Sequence, residues 1–305
     1  MERNSRVQAA QLTVYTGHTG SLYALAVDTL LGYIYTSGTD GLVIRWDISL
    51  FGEGKVIAKL ADAVHCLYLD KGANLLWIGS AKGNVHVLDL QEKKEIKLFA
   101  SHTAALFDIQ QMGEFIYSAG GDGCVVKYNA KDLAIEKVLK LSDKNIRCLA
   151  MNAHNGSIAA GSSDTNIYFL SKNLEVYEEI VGAHESTVFS LAFSADGKHL
   201  LSGGRDAMLQ VWDIDAGGKC LHKIAAHNLH VHSIAVQPNG QYFLSSSMDK
   251  TIKIWHLADF NLLRVMDKQR HHAHVNSINK IAWISDDKFV SISDDRSVML
   301  WELVY

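Results

Sequence analysis

The stretch Gly182-Ala183-His184, continued by Leu201-Ser202-Gly203-Gly204-Arg205-Asp206 and then Val211-Trp212-Asp213-Ile214, decides the fold because its spacing returns along the whole chain. Asp206 belongs to a series of six aspartates, Asp40, Asp122, Asp164, Asp206, Asp249 and Asp295, separated in turn by 82, 42, 42, 43 and 46 residues. The first gap is two periods of 42 and 40 with Lys82 at the middle position, which makes seven copies. Six residues after each position stand Trp46, Leu88, Tyr128, Leu170, Trp212, Trp255 and Trp301. Upstream come His18, His102, His184, His227 and His274, and four residues before the aspartate a hydroxyl recurs as Thr36, Ser118, Ser202, Ser245 and Ser291.

Within a copy the strand signals keep one order: an alternating run Phe189-Ser190-Leu191-Ala192-Phe193, a turn at Asp196-Gly197, a second run His199-Leu200-Leu201-Ser202, a tight turn, then Met208-Leu209-Gln210-Val211-Trp212 and Leu221-His222-Lys223-Ile224. Asp40-Gly41, Lys82-Gly83, Asp122-Gly123 and Asn239-Gly240 supply the turn chemistry, and the single proline, Pro238, lies in a turn. A period of this length, filled by four short strands, is the mark of a blade repeated around an axis. The expected fold is all-β: one seven-bladed β-propeller of four-stranded antiparallel blades, a single domain over 1–305. Its copies fall near 17–48, 59–90, 101–130, 141–171, 183–214, 226–257 and 273–303. The last copy, ending Trp301-Glu302-Leu303-Val304-Tyr305, has no room for a fourth strand, whereas an orphan strand stands within 7–16. A ring must cover its terminal blades, so this N-terminal strand is expected to complete the seventh.

Composition is that of a soluble globular protein, 48% hydrophobic and 20% charged. A net charge of −4 lacks the excess of Lys and Arg that marks a nucleic-acid or anionic-membrane footprint. Neither an apolar leader nor a membrane-length apolar run is present, so a cytoplasmic location is expected. Cys66, Cys124, Cys148 and Cys220 are scattered without a C-x-x-C pair and read as reduced, mostly buried side chains.

These residues resemble the WD-repeat family, named for its tryptophan and aspartate, from about Val7 to Tyr305. His, Ser and Asp are also the side chains of a serine hydrolase. A triad, however, needs one exposed nucleophile beside an oxyanion hole, whereas a set repeated blade after blade with Trp appended reads as a buried hydrogen-bond network. The resemblance implies the same structural role. Full tetrads are His18, Thr36, Asp40 and Trp46; His184, Ser202, Asp206 and Trp212; His227, Ser245, Asp249 and Trp255; and His274, Ser291, Asp295 and Trp301. The third copy replaces tryptophan with Tyr128. The fourth has Ser142 in place of histidine, and the second offers Leu60, Ile78, Lys82 and Leu88. Blades two to four are expected to be the less rigid side of the ring.

The resemblance also implies partner binding on the narrower face, at positions three and five residues after the tetrad histidine and just before the aspartate. The fifth position reads Tyr23, His65, Phe107, Arg147, Phe189, His232 and Asn279; the third includes His230; the pre-aspartate position includes Arg205 and Met248. Aromatic, His and Arg side chains make good anchors because they bury large area and keep a polar handle. A plug for the channel mouth is the other reading of this ring. Five residues are added before His274, including Lys268-Gln269-Arg270-His271-His272, and two readings stay open for this loop: a functional addition to the rim, or a solvated basic loop. The histidines 227, 230, 232, 271, 272 and 274 are dense enough to raise a metal site, but two serve tetrads and no ligand motif supports one, so neither metal nor cofactor is expected.

The expected function is a non-catalytic scaffold for a protein or peptide partner, working as a monomeric ring or within a larger complex, with no membrane and no nucleic acid. Two alternatives stay open. An RNA-binding or ribonucleoprotein subunit would need a basic face, and a propeller enzyme would place its site at the channel mouth.

Overall fold

Residues 7–50 and 52–304 are described in a computed structural model. Seven four-stranded antiparallel sheets follow one another around a ring. Blade one runs through Leu22–Asp28, Tyr33–Gly38, Leu42–Asp47 and Lys55–Lys59, and blades two to six repeat this order from inner strands Val64–Asp70, Leu106–Met112, Ile146–Met151, Val188–Phe193 and Val231–Val236. Blade seven takes Ile278–Trp283, Lys288–Ser293 and Val298–Val304 from one end of the chain and Gln8–Tyr15 from the other. Gln8 lies opposite Val304 and Tyr15 opposite Val298, with an irregularity between Gln11 and Thr13. The orphan strand therefore closes the ring. Residues 1–6 and Tyr305 lie outside the described residues.

Burial is deepest in the second strand of a blade and is lost in the outer one. The second strand of blade five, His199–Gly204, is buried after its first residue, whereas most of the outer strand Lys219–Ala225 is exposed. The apolar core is divided among the seams: each of seven clusters draws on two successive blades. The seam between blades seven and one packs Val290, Ile292 and Leu300 against Leu22, Ile34 and Trp46, so ring closure buries apolar area on the same terms as every other seam. Polar groups stitch the seams near the axis. The amide of Leu149 donates to Asp108 at 2.9 Å, and that of Ile234 to Ser190 at 2.8 Å, in each case from one blade to the next.

The added residues before blade seven form one helical turn, Lys268–His271, rather than a loop. Asp267 caps it by accepting from the Arg270 amide at 2.8 Å, and His272 ends it in the left-handed region at φ 54°. Among the described residues no helix is long and apolar enough to cross a membrane. Of the cysteines, Cys66 and Cys148 are buried, Cys124 is half-buried and Cys220 is exposed, so the expectation of mostly buried thiols holds for two of the four.

Candidate interaction site at the channel mouth

The four full tetrads share one geometry. In blade one His18 Nδ1 stands 2.9 Å from Asp40, Nε2 stands 2.8 Å from Thr36 Oγ1, and the Trp46 indole donates to the same oxygen at 2.7 Å. Blade five matches at 3.0, 2.8 and 2.8 Å, blade six at 2.9, 2.7 and 2.9 Å, and blade seven at 3.0, 2.8 and 2.9 Å. The carboxylate can only accept, so Nδ1 carries the proton of the neutral imidazole; the bare Nε2 then accepts from the hydroxyl, whose oxygen accepts from the indole N–H. Each hydroxyl residue is fully buried and its proton is spent inside the network, which leaves it no approach to a substrate. Each aspartate also accepts a backbone N–H from the loop after the histidine, as Asp206 does from Glu185 at 3.0 Å. Burial alone would raise the Asp249 carboxyl, but the His227 hydrogen bond and charge, with donors from Thr251 and Asn228, hold it far below its ordinary value. For His18 and His227 burial outweighs the aspartate, and both imidazoles titrate below the usual histidine value.

The degenerate copies solve the same problem by other means. In blade three the Tyr128 hydroxyl stands 2.9 Å from Ser118 and 2.6 Å from Ser101, while His102 stays 2.7 Å from Ser118 and 3.0 Å from Asp122. Tyrosine thus takes over the tryptophan's place in the network. In blade four Ser142 donates directly to Asp164, and the Tyr168 hydroxyl reaches the same carboxylate at 2.8 Å. Blade two drops the polar set: Ile78 and Leu88 are buried in the apolar seam, and Lys82 turns outward to Asp62 at 2.7 Å.

A β-bulge interrupts the inner strand of every blade, and the displaced residues are Tyr23, His65, Phe107, Arg147, Phe189, His232 and Asn279. A bulge leaves one residue out of the ladder and re-aims its side chain. Here all seven line a central cavity of about 450 Å³. They touch in sequence around the axis: Tyr23 and His65 at 5.4 Å between ring centres, His65 and Phe107 at 6.0 Å, Phe189 and His232 stacked at 5.4 Å. The Arg147 guanidinium carbon lies 3.7 Å from the centre of Phe107 and 5.1 Å from that of Phe189. Asn279 is engaged within the protein, its amide donating to Leu22 O at 2.8 Å and to Asp294 at 2.7 Å. Burial, with His230 and Arg147 nearby, holds His232 down to about 4; burial and Arg147 lower His65 too.

The other two sets of positions meet above this ring. In all seven blades the residue before the aspartate position donates its amide to the carbonyl of the third-position residue: Arg205 to Thr187 at 2.8 Å, Met248 to His230 at 3.1 Å, Asp294 to Ser277 at 3.0 Å, and likewise from Thr39, Ala81, Gly121 and Ser163. Nothing in a single copy's sequence signals this bond or the bulge. Arg205 is exposed, and on the two following blades Leu229, Met248 and Val275 leave apolar surface in solvent, with Met248 43% exposed. The six histidines that raised a metal site are divided among different settings. His227 and His274 serve tetrads, His230 and His232 stack on Phe189, and His271 and His272 belong to the helical turn.

A ring of seven such blades with these tetrads defines a WD-repeat propeller. The family model described as WD domain, G-beta repeat, matches residues 9–47, 176–213, 218–256 and 266–302, and the chain belongs to this family. The unmatched span, 48–175, holds blades two and three and most of blade four, where Leu88, Tyr128 and Leu170 stand in place of tryptophan. Among curated relatives, the chain is 26% identical over 57% of its length to the transcription factor unc-37 of Caenorhabditis elegans, covering 29% of that protein. It is 26% identical over 62% of its length to Protein ROOT INITIATION DEFECTIVE 3 of Arabidopsis thaliana, covering 48% of it. The ribosome biogenesis protein YTM1 of Laccaria bicolor is 24% identical over 69% of the chain, with 46% of that protein covered. The chain thus spans less than half the length of these three relatives.

Proposed function

We propose that the chain is a non-catalytic scaffold that holds a protein or peptide partner on the narrower face, over the mouth formed by Tyr23, His65, Phe107, Arg147, Phe189 and His232 and the rim of Arg205, His230 and Met248. The observation that carries this reading is the bulge: the chain gives up one ladder pairing in every blade, and each time the freed residue lines the cavity. Aromatic and cationic anchors in the centre, an exposed methionine and leucine at the rim and a rigid framework beneath are the anatomy of a partner site. The buried, fully engaged hydroxyls of the tetrads support a scaffold over a hydrolase. Membership of a complex draws support from relatives named for transcription and ribosome biogenesis. A cytoplasmic location belongs to the same proposal.

Affinity capture, with the captured proteins identified by mass spectrometry, tests it. The wild type should retain a partner that the Tyr23→Ala, Phe189→Ala double variant loses while its melting curve stays near the parent's. An unchanged set of captured proteins in a folded double variant overturns the assignment. The RNA reading is weaker because the chain carries a net charge of −4 and Arg147 is the one Lys or Arg among the seven bulge residues at the mouth. Random-sequence RNA is expected to show no salt-steep binding.

A further inference from the structure

Arg147 is a cation without a counterion. Its guanidinium sits against Phe107 and Phe189, its Nε is buried with no hydrogen-bond partner, and it forms no ion pair among the described residues. His232, stacked on Phe189, presents a second buried and unpartnered atom, Nε2, to the same region. Arg147 as a whole is half-buried, and burial pulls its guanidinium down to about 10. Removing a charge from water is costly unless it is paired, and a native fold leaves few buried polar atoms unmatched. The cavity that Arg147 lines gives an acceptor from outside the chain a way to reach it.

The cavity's charges say what kind of acceptor it is. Asp108 lines the same space, but its carboxylate already accepts from Ile109, Gln110 and Leu149 and faces Lys280 at 3.7 Å. With Asp108 and Lys280 matched to each other, Arg147 is the one positive charge left over, which suits a monoanion. A dianion would bring one negative charge more than the cavity lining has free cations to answer. Shape narrows it further. The guanidinium carbon lies 3.7 Å from the centre of one phenyl ring and 5.1 Å from that of another, apolar neighbours that accept no conventional hydrogen bond, so its N–H edges are left for the acceptor, and a planar carboxylate accepts two parallel bonds from such an edge.

We propose that the channel mouth is a receptor for a single carboxylate, an aspartate or glutamate side chain on the bound segment of a protein partner, held by Arg147 between Phe107 and Phe189 with His232 beside it. This names the chemistry of the partner and so rests on the rim reading above. The neighbouring rings of His65 and Tyr23 would cover the methylene stem of the inserted side chain.

The test uses small probes on the full chain, so that it is separate from partner capture: N-acetyl-glutamate N-methylamide, its glutamine counterpart and inorganic phosphate. Each is titrated while the Arg147 Nε–H resonance is followed by NMR. The glutamate probe should shift that resonance saturably and bind about tenfold or more tightly than the neutral glutamine probe, since a charge-assisted bidentate pair is lost in the latter. Arg147→Gln, followed through neighbouring backbone amides, should abolish binding and fold normally, because it removes a buried charge rather than a paired one. If that variant does not fold, the contrast between the two capped residues in the wild type decides alone. Equal binding of the two capped residues, or no saturable shift with the glutamate probe, overturns the proposal, and phosphate binding more tightly than glutamate overturns the monoanion assignment. Loss of capture in the Tyr23 and Phe189 variant is a separate result, so the two readings can fail independently.

Discussion

Lys280, on the inner strand of blade seven, places its ammonium 3.7 Å from the carboxylate of Asp108 on the inner strand of blade three, so an ion pair crosses the channel between blades that are not neighbours. Asp108 is buried and also binds the Leu149 amide of blade four, whereas Lys280 keeps part of its side chain in solvent. The two ends of the pair should therefore respond unequally. Asp108→Ala strands a buried amide and is expected to cost about 2–3 kcal/mol. Lys280→Met should cost about 1 kcal/mol or less, because its charge can be solvated. Chemical denaturation of both variants measures the difference; equal losses would mean that the seam hydrogen bond carries no weight.

The tetrads make an unequal prediction of the same kind. Ser202→Ala leaves the Trp212 indole and His184 Nε2 without their shared partner inside a buried seam, and about 2–3 kcal/mol should be lost. Tyr128→Phe removes a hydroxyl whose partners Ser118 and Ser101 can rotate, and Ser118 keeps His102, so about 1 kcal/mol is expected. Equilibrium unfolding checks both. A larger loss from Tyr128→Phe than from Ser202→Ala would show that blade three depends on its tyrosine more than an intact blade depends on its serine.

Acid should weaken the ring in two stages. His18 and His227 have folded values below the ordinary 6.5, so the unfolded chain binds protons first as the pH falls. Stability is complete above roughly 6.5 and drains as the pH drops from there through the lower folded values. Asp40, Asp122, Asp164, Asp206, Asp249 and Asp295 are likewise depressed from 3.8, and their contribution begins to go below that pH. Protonating a tetrad histidine also puts a second donor on a hydroxyl that already accepts from the indole. Denaturation midpoints should thus fall between about pH 7.5 and about pH 5, and more steeply below about pH 4. A midpoint constant down to about pH 4.5 contradicts the first stage.

The ring and its closure were legible because they depend on period and on count: seven aspartate positions and one orphan strand admit few other arrangements. The tetrads were legible for the same reason, being residue types at fixed offsets. What the sequence concealed is local and physical. A β-bulge at Arg147 or Phe189 leaves no compositional trace, since the displaced residue still alternates with buried neighbours. The repair of blade three depends on a second hydroxyl, Ser101, one position before His102, which no tetrad pattern includes. The helical turn Lys268–His271 follows from an Asp267 cap that is plain only once the turn exists. Asn279 belongs to the ring by its position and lines the cavity, and its amide also donates to Leu22 O of blade one, a contact between the two ends of the chain that no local pattern signals.

Thr165 offers a last test of how backbone geometry is distributed. The residue after the aspartate position is left-handed in all seven blades, and it is glycine in the first three, Gly41, Gly83 and Gly123. Blade four places Thr165 there at φ 82°, a β-branched side chain in a region that β-branched residues strongly avoid. Its carbonyl accepts from the His184 amide at 3.3 Å, a bond that glycine would keep. The relief of strain should exceed the added freedom of glycine in the unfolded chain, and Thr165→Gly is expected to stabilise the protein by about 0.5 kcal/mol. The same replacement at Arg296, φ 70° and not branched at Cβ, should gain less. Paired thermal melts of the two variants measure it, and a gain at Arg296 equal to that at Thr165 would remove β-branching as the cause.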